Sequence, residues 1–327
     1  MITFLTRPMI PFKLREARYA AMGFIDKLRS RKARQMPRHG GHAAVNRSLF
    51  EGFRQLGVPL NIDPKQISQV HEVVFCTADP RSIWQGIRWK RAGRIKKLFA
   101  GFAIVGSPFD CKGVILNPAV DRYVCNSDWH LEWFAELAPE FRMKAVVSPL
   151  GVDPSMWMPS SNVRKLEKNV LFYKKLAPRD LYEECLLRVR EAGFNVEEIV
   201  CGNYRLEDYA LALKRNSLLV NWVAHETQGI SMAEAWAADV PTMVWNPGSV
   251  FRESCGKTYV FGCSSSPYLT LATGGFFRDW QELSTLLDNY KAQRNKFTPR
   301  DWVLENLTDV ICAKRLLKAL DLARLID

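Results

Sequence analysis

Residues 221–247 read NWVAHETQGISMAEAWAADVPTMVWNP, and this stretch constrains the fold more than any other. The apolar run 218–223 predicts a buried strand. A short polar turn follows, His225-Glu226-Thr227-Gln228-Gly229. From Ile230 a helical spacing begins (Ile230, Ala233, Ala237), with small residues between. Pro241 ends it, and residues 241–245 predict the next strand. Strand, turn, helix and strand in that order build part of a parallel α/β sheet. Ligands of such sheets bind beyond the strand ends, where the free N–H groups at a helix start favour anions.

Two carboxylates frame the turn, Glu226 ahead of the helix and Glu234 inside it. Gly229 lets the backbone approach a ligand, and the N–H groups of Gly229, Ile230 and Ser231 are expected to be free for a phosphate. A carboxylate accepts hydrogen bonds from hydroxyl groups in pairs. A phosphate flanked by hydroxyl-bearing groups describes a nucleotide sugar. Two solvated glutamates on a surface helix are the competing reading, since Glu-x7-Glu alone is common.

The surrounding residues bear on that choice. Glu226, Gly229, Ile230, Glu234, Ala235, Ala237 and Pro241 stand in the register E-x-x-G-I-x-x-x-E-A-x-A-x-x-x-P. This resembles the donor-binding motif of retaining GT-B glycosyltransferases, glycosyltransferase family 4 and its relatives. Gln228 stands where that family often has Phe or Pro, and Asp239 where it usually has Gly. Asp tolerates the left-handed conformation of a helix end, so the second departure is mild.

The resemblance implies an α/β chain of GT-B fold: two Rossmann-like domains facing each other across a cleft, with a C-terminal helix crossing back to the first. The expected division is an acceptor-binding domain over 1–153, a donor-binding domain over 154–297 and a crossover helix over 298–327. The hinge is expected at residues 148–154, where SPLGVDP resembles the family's domain junction. Residues 160–162 are expected to be a linker. GGHAAVNRSLFEG, residues 40–52, resembles the glycine-rich loop that follows the first strand and faces the cleft.

For the site, the resemblance implies that Glu226 contacts the donor sugar and Glu234 the nucleotide ribose. Lys174 and Lys175, at a strand end, and Arg179 are candidates for stabilising the leaving diphosphate, an electrostatic task. Glu226, Lys174 and Lys175 are the candidate catalytic residues. Gln228, Gly229, Ile230, Ser231, His225, Arg179 and Gly41 join Glu234 as candidate donor contacts, with Gly40 and His42 on the acceptor side. The family's front-face chemistry implies no protein nucleophile, no cofactor and no obligatory metal; the chain contains no DxD. The expected partners are a nucleotide sugar and a glycan, lipid-linked or other hydroxyl acceptor, with no specific nucleic acid.

The chain has 327 residues, enough for two domains with their own cores. Its eight cysteines form no CxxC and stand mostly in apolar runs, which predicts buried free thiols; a Cys255–Cys263 pair is the alternative. No apolar run approaches the about 20 residues of a membrane span, and no signal peptide is expected. The net charge of +12 is uneven, +11 on residues 1–160 and +1 on the rest. A basic helix over residues 12–34, the cluster of residues 29–38 and a second cluster over residues 90–97 account for much of it. A cytoplasmic protein touching an anionic membrane face is expected, in surface glycan or glycolipid synthesis. Two other readings remain: a non-catalytic basic module for nucleic acid or anionic polymer, and a sugar-nucleotide epimerase of the same fold.

Along the chain the apolar runs predict strands at residues 1–6, 72–77, 97–105, 122–125, 145–149, 169–173 and 196–201. Helices are predicted between them, then at 280–290 and unbroken from 298 to 325. The Gly/Ser-rich residues 246–275 predict a loop.

Overall fold

The computed structural model describes residues 1–9, 41–159, 166–175, 177–254 and 257–326. The predicted basic helix, the 29–38 cluster, Gly40, the 160–162 linker and Cys255 lie outside the described residues.

The first domain is built on β1 (Ile2–Leu5), β2 (Leu60–Ile62), β3 (Val73–Cys76), β4 (Lys97–Gly101), β5 (Arg122–Cys125) and β6 (Ala145–Val147). They form a parallel sheet in the order β2-β1-β3-β4-β5-β6. A parallel sheet is covered on both faces, so its strands read as continuous apolar runs. On one face α1 (Gly41–Gln55) lays Val45, Leu49 and Phe53 against Phe4, Phe75 and Phe99. On the other, α2 (Pro80–Arg91) and α3 (Asp128–Leu137) bury Ile83, Ile87 and Phe134 against Val74, Leu98 and Tyr123. Ser127 occupies the N-cap of α3, but its hydroxyl makes no capping bond.

The second domain repeats the layering with β7 (Leu166–Lys174), β8 (Asn195–Val200), β9 (Asn216–Trp222), β10 (Thr242–Trp245) and β13 (Gly274–Phe277). Its parallel order is β13-β10-β9-β7-β8. Helices α4 (Arg179–Glu191), α5 (Leu206–Arg215), α6 (Ile230–Ala237) and α7 (Trp280–Gln293) cover it. β9 is buried along its whole length and sits at the centre of the sheet.

Three expectations are corrected. The predicted strand 97–105 ends at Gly101, because Phe102 and Ala103 turn into the left-handed region (φ 62° and 58°). The predicted loop 246–275 contains an antiparallel hairpin, β11 (Ser249–Ser254) and β12 (Lys257–Gly262), as well as β13. The crossover is two helices, α8 (Pro299–Asn306) and α9 (Asp309–Ala319). Its break has a cause: Val152 of the hinge donates to the Leu307 carbonyl at 3.0 Å, and Asp309 N–H donates to the Val152 carbonyl at 3.3 Å. The linker thus takes groups that a continuous helix would use, and Thr308 recaps the chain by accepting from Ile311 N–H.

The crossover does return to the first domain. Helix α9 packs on α1 so closely that a Cβ at Gly52 would lie 2.4 Å from the Asp309 carbonyl, and one at Gly151 would lie 2.3 Å from the Asp309 nitrogen. Asp309, 3% exposed, receives both arms of Arg47 at 2.6 and 3.1 Å.

Candidate functional site

Helix α6 starts from Gly229, whose φ of 82° and ψ of 53° a side chain would strain. Its carbonyl accepts from Met232 and Ala233 N–H, each at 3.1 Å. The N–H groups of Gly229, Ile230 and Ser231 have no acceptor among the described residues, as the first amides of a helix are left without intrahelical partners. At the far end, Arg300 of α8 donates to the Ala237 carbonyl and, at 3.2 Å, to the Pro154 carbonyl. A cation there complements the negative end of the helix dipole. Asp239 takes the left-handed conformation (φ 58°) just beyond, so the departure from Gly is accommodated.

Glu226 lies in the turn between β9 and α6. Its N–H donates to the Ser264 carbonyl and its own carbonyl accepts from the Trp129 indole, both at 3.0 Å. Its carboxylate is paired with the Lys175 ammonium. Burial alone would lower the Lys175 pKa, but the charge and hydrogen bond of Glu226 outweigh it and hold the pKa above the ordinary lysine value. Lys175 N–H donates to the Trp222 carbonyl at 2.9 Å, which fixes it at the end of the central strands.

Glu234 sits one turn inside α6, half-buried, and its carboxyl has no hydrogen-bond partner among the described residues. Burial pushes its pKa up to about 8, only partly offset by the Arg47 guanidinium from the other domain. Such a carboxyl can accept hydroxyl groups from a ligand. Beside it, the Tyr204 and Tyr173 hydroxyls are 3.0 Å apart. Burial, with the charges of Glu234 and Glu226 adding, drives the Tyr204 hydroxyl to about 12, so it stays a neutral hydrogen-bonding group.

The structure brings together Glu226, Lys175, Glu234 and the amides of residues 229–231. It separates others. Lys174 points away and lies over the Tyr182 ring, 3.9 Å from its centroid, because successive residues of a strand face opposite sides. Arg179 is a surface residue, 82% exposed and paired with Glu183. Gln228 is buried: its amide donates to the Leu150 carbonyl at 2.6 Å and accepts from Leu150 N–H at 2.8 Å. It ties the turn to the 148–154 segment, and both ends of its amide are engaged there. Ser231 is half-buried and gives its carbonyl to the Tyr209 hydroxyl at 2.6 Å. His225 is half-buried, its ring 6.1 Å from that of Trp129. Gly41 and His42 are exposed at the start of α1. Among the described residues, no group of three or more His, Cys, Asp or Glu is arranged to hold a metal ion.

Arg47, Tyr204 and Trp129 join the neighbourhood of the site without standing in the sequence motif. Arg47 lies within the glycine-rich segment and Tyr204 follows Gly202-Asn203 at a strand end, so both had a positional signal. Trp129 reaches the turn from the other domain and had none.

No family model matches the sequence, and no curated protein matches it. Solved structures do match over almost the whole chain. HepE from Anabaena, solved with UDP and glucose, is 13% identical with a TM-score of 0.56, covering 98% of this chain and 99% of its own. The lipopolysaccharide outer core galactosyltransferase WaaB, in its apo form, is 12% identical with a TM-score of 0.57 and the same coverage. The chain has the GT-B fold. AviGT4, a glycosyltransferase of avilamycin A biosynthesis, is 15% identical with a TM-score of 0.54, covering 99% and 97%. At these identities the likeness concerns the GT-B fold, and the chemistry is argued from the site.

Proposed function

We propose that the chain is a retaining glycosyltransferase that moves a sugar from a nucleotide-sugar donor to a hydroxyl acceptor. The observation that carries this reading is the donor turn: a half-buried Glu234 carboxyl and three N–H groups at the α6 start, all without a hydrogen-bond partner among the described residues, and the Lys175–Glu226 pair around one helix end. The N–H groups suit a diphosphate, and Glu234 suits the ribose hydroxyls. Glu226, steadied by Lys175, accepts from the donor sugar hydroxyls, while Lys175 also offsets charge on the leaving diphosphate. The bond from the anomeric carbon to the phosphate oxygen breaks, and the acceptor oxygen bonds that carbon on the same face. The acceptor proton passes to the departing phosphate oxygen. The matched structures solved with UDP or described as glycosyltransferases lend support to this reading.

A thermal-shift panel of nucleoside diphosphates and their sugar esters tests it. A true donor binds the native state alone and stabilises it by about 2.7 kcal/mol at a hundred times its Kd. A panel in which nothing shifts the melting temperature, with no transfer detected, sinks the proposal.

The second element is a membrane-facing acceptor, in glycolipid or surface glycan synthesis. Arg88, Arg91, Arg94 and Lys97 are exposed around the end of α2 and the start of β4, and none has an acidic partner among the described residues. Near an acidic bilayer each cation contributes about 1 kcal/mol. Among the described residues no helix is long and apolar enough to cross a membrane, so this attachment would be peripheral. Flotation with phosphatidylglycerol vesicles should fall as salt rises and weaken when the four become Ser; indifference to such vesicles at low salt removes this element.

A further inference from the structure

The main chain of Glu226 is held from two directions. Its N–H is bonded to Ser264, which lies just beyond the β11–β12 hairpin, and its carbonyl receives the indole N–H of Trp129 from α3 of the first domain. Trp129 is itself fixed by a pile of rings. Phe261, carried on the hairpin and 4% exposed, lies parallel to Trp133 at 4.5 Å and to Trp129 at 6.1 Å. The Trp129 and Trp133 rings are 6.3 Å apart, and His225, next to Glu226, meets Trp129 edge-on. The second domain therefore inserts a ring into the first, and the first returns a hydrogen bond to the donor turn. Such stacks fix ring orientation as well as burying area.

We propose that Trp129 is a positioning residue of the donor site: its indole N–H, aimed by the Phe261 stack, fixes the Glu226 peptide and so the direction of its carboxylate. This rests on the transferase reading for its purpose but not for its test. With the N–H on one side of its Cα and the C=O on the other both engaged, Glu226 has little freedom in φ and ψ, and its side chain leaves the backbone in a set direction. Without the indole bond the Glu226 carbonyl is loosened, while the Ser264 bond, the Lys175–Glu226 pair and the Gln228–Leu150 bonds remain. The first domain thereby contributes to a site whose ligand-binding groups lie mainly in the second.

Hydrogen exchange of the free protein decides the matter without any donor. Trp129→Phe keeps the ring and removes the donor atom. It should speed exchange of a peptide spanning residues 223–230 about fivefold, the effect of losing one hydrogen bond, while peptides from β5 and α3 stay within about twofold. Phe261→Leu keeps apolar volume, removes the stack and should act in the same direction with a smaller amplitude. An unchanged donor-turn peptide, or a uniform rise that includes β5 and α3, overturns the proposal. With the nucleotide sugar that most raises the wild-type melting temperature, Trp129→Phe should raise the donor KM about fivefold and leave kcat within about twofold. A loss confined to kcat also overturns it. If no nucleotide sugar binds, the transferase reading fails and the exchange result still stands by itself.

Discussion

Lys174 and Lys175 are neighbours in sequence and point to opposite sides of the same sheet, one onto the ring of Tyr182 and the other onto the carboxylate of Glu226. The two substitutions should therefore separate cleanly. Lys175→Ala should lower kcat about a hundredfold, the usual scale for removing one donor that stabilises developing charge. Lys174→Ala should leave kcat within about threefold. Steady-state kinetics of both variants decide it, and equal losses would place the leaving-group charge elsewhere.

Glu226→Gln and Glu234→Gln should both keep the fold and weaken transfer, Glu226→Gln about tenfold or more because it removes a charge-assisted hydrogen bond, and Glu234→Gln by less because the raised pKa of Glu234 keeps its carboxyl largely neutral near pH 7. The two should differ in what they stop recognising. Glu234→Gln should narrow the discrimination against a 2′-deoxyribose donor, whereas Glu226→Gln should leave it intact. Circular dichroism checks the fold and competition between the two donors checks the assignment.

The same turn was the most legible part of the sequence. Gly229 and Pro241 punctuate a helix of small residues between two apolar runs; the two strands and the helix start lie within two residues of their expected places, while the helix ends at Ala237, ahead of Pro241. The hairpin was not legible. Its residues stand in a Gly/Ser-rich region, and what makes Phe261 an anchor is a pair of tryptophans over a hundred residues earlier. The break in the crossover did carry a local signal, since Thr308-Asp309 is a helix-start pair, but its cause is the pairing with Val152. The sides of Lys174 and Lys175 follow from strand alternation alone, which two adjacent lysines obscure. The alternative place of Gln228 could not be read, because its partner Leu150 lies 78 residues away.

Stability should carry a pH signature from Glu234. Its folded pKa of about 8 lies above the ordinary value of 4.5, so between these values the folded state holds more proton than the unfolded one. Stability from this group is then lost as pH rises through that window, and the full penalty stands above about pH 8. A tenfold difference in proton affinity between the two states corresponds to about 1.4 kcal/mol, reduced here by the residue's remaining exposure. Urea midpoints at pH 5 and pH 8.5 should show Glu234→Gln gaining on the wild type at the higher pH. Parallel curves would mean the carboxyl titrates normally.

Asp309 is buried against Arg47, and burial raises its pKa despite the two hydrogen bonds it receives. Arg47→Met should cost about 3 kcal/mol, the low end for stranding one half of a buried pair, since Arg47 keeps some solvent contact. Adding Asp309→Asn should recover part of the loss. Denaturant melts of the two variants test this, and a neutral Arg47→Met would show that the pair adds no net stability.

Two of the cross-domain contacts among the described residues lie far apart in sequence and hold different elements. One gathers hinge, crossover and α1 at Asp309, where Gly52 and Gly151 leave no room for a side chain. The other is the ring of Phe261 lodged against Trp129 and Trp133. Two anchorages define a line, as the pins of a door do. Twisting or sliding of one domain on the other would require pulling an aromatic ring out of its slot. The hairpin thus acts as a second pin beside the Asp309 cluster, and shortening it would leave the Phe261 slot of the first domain unfilled.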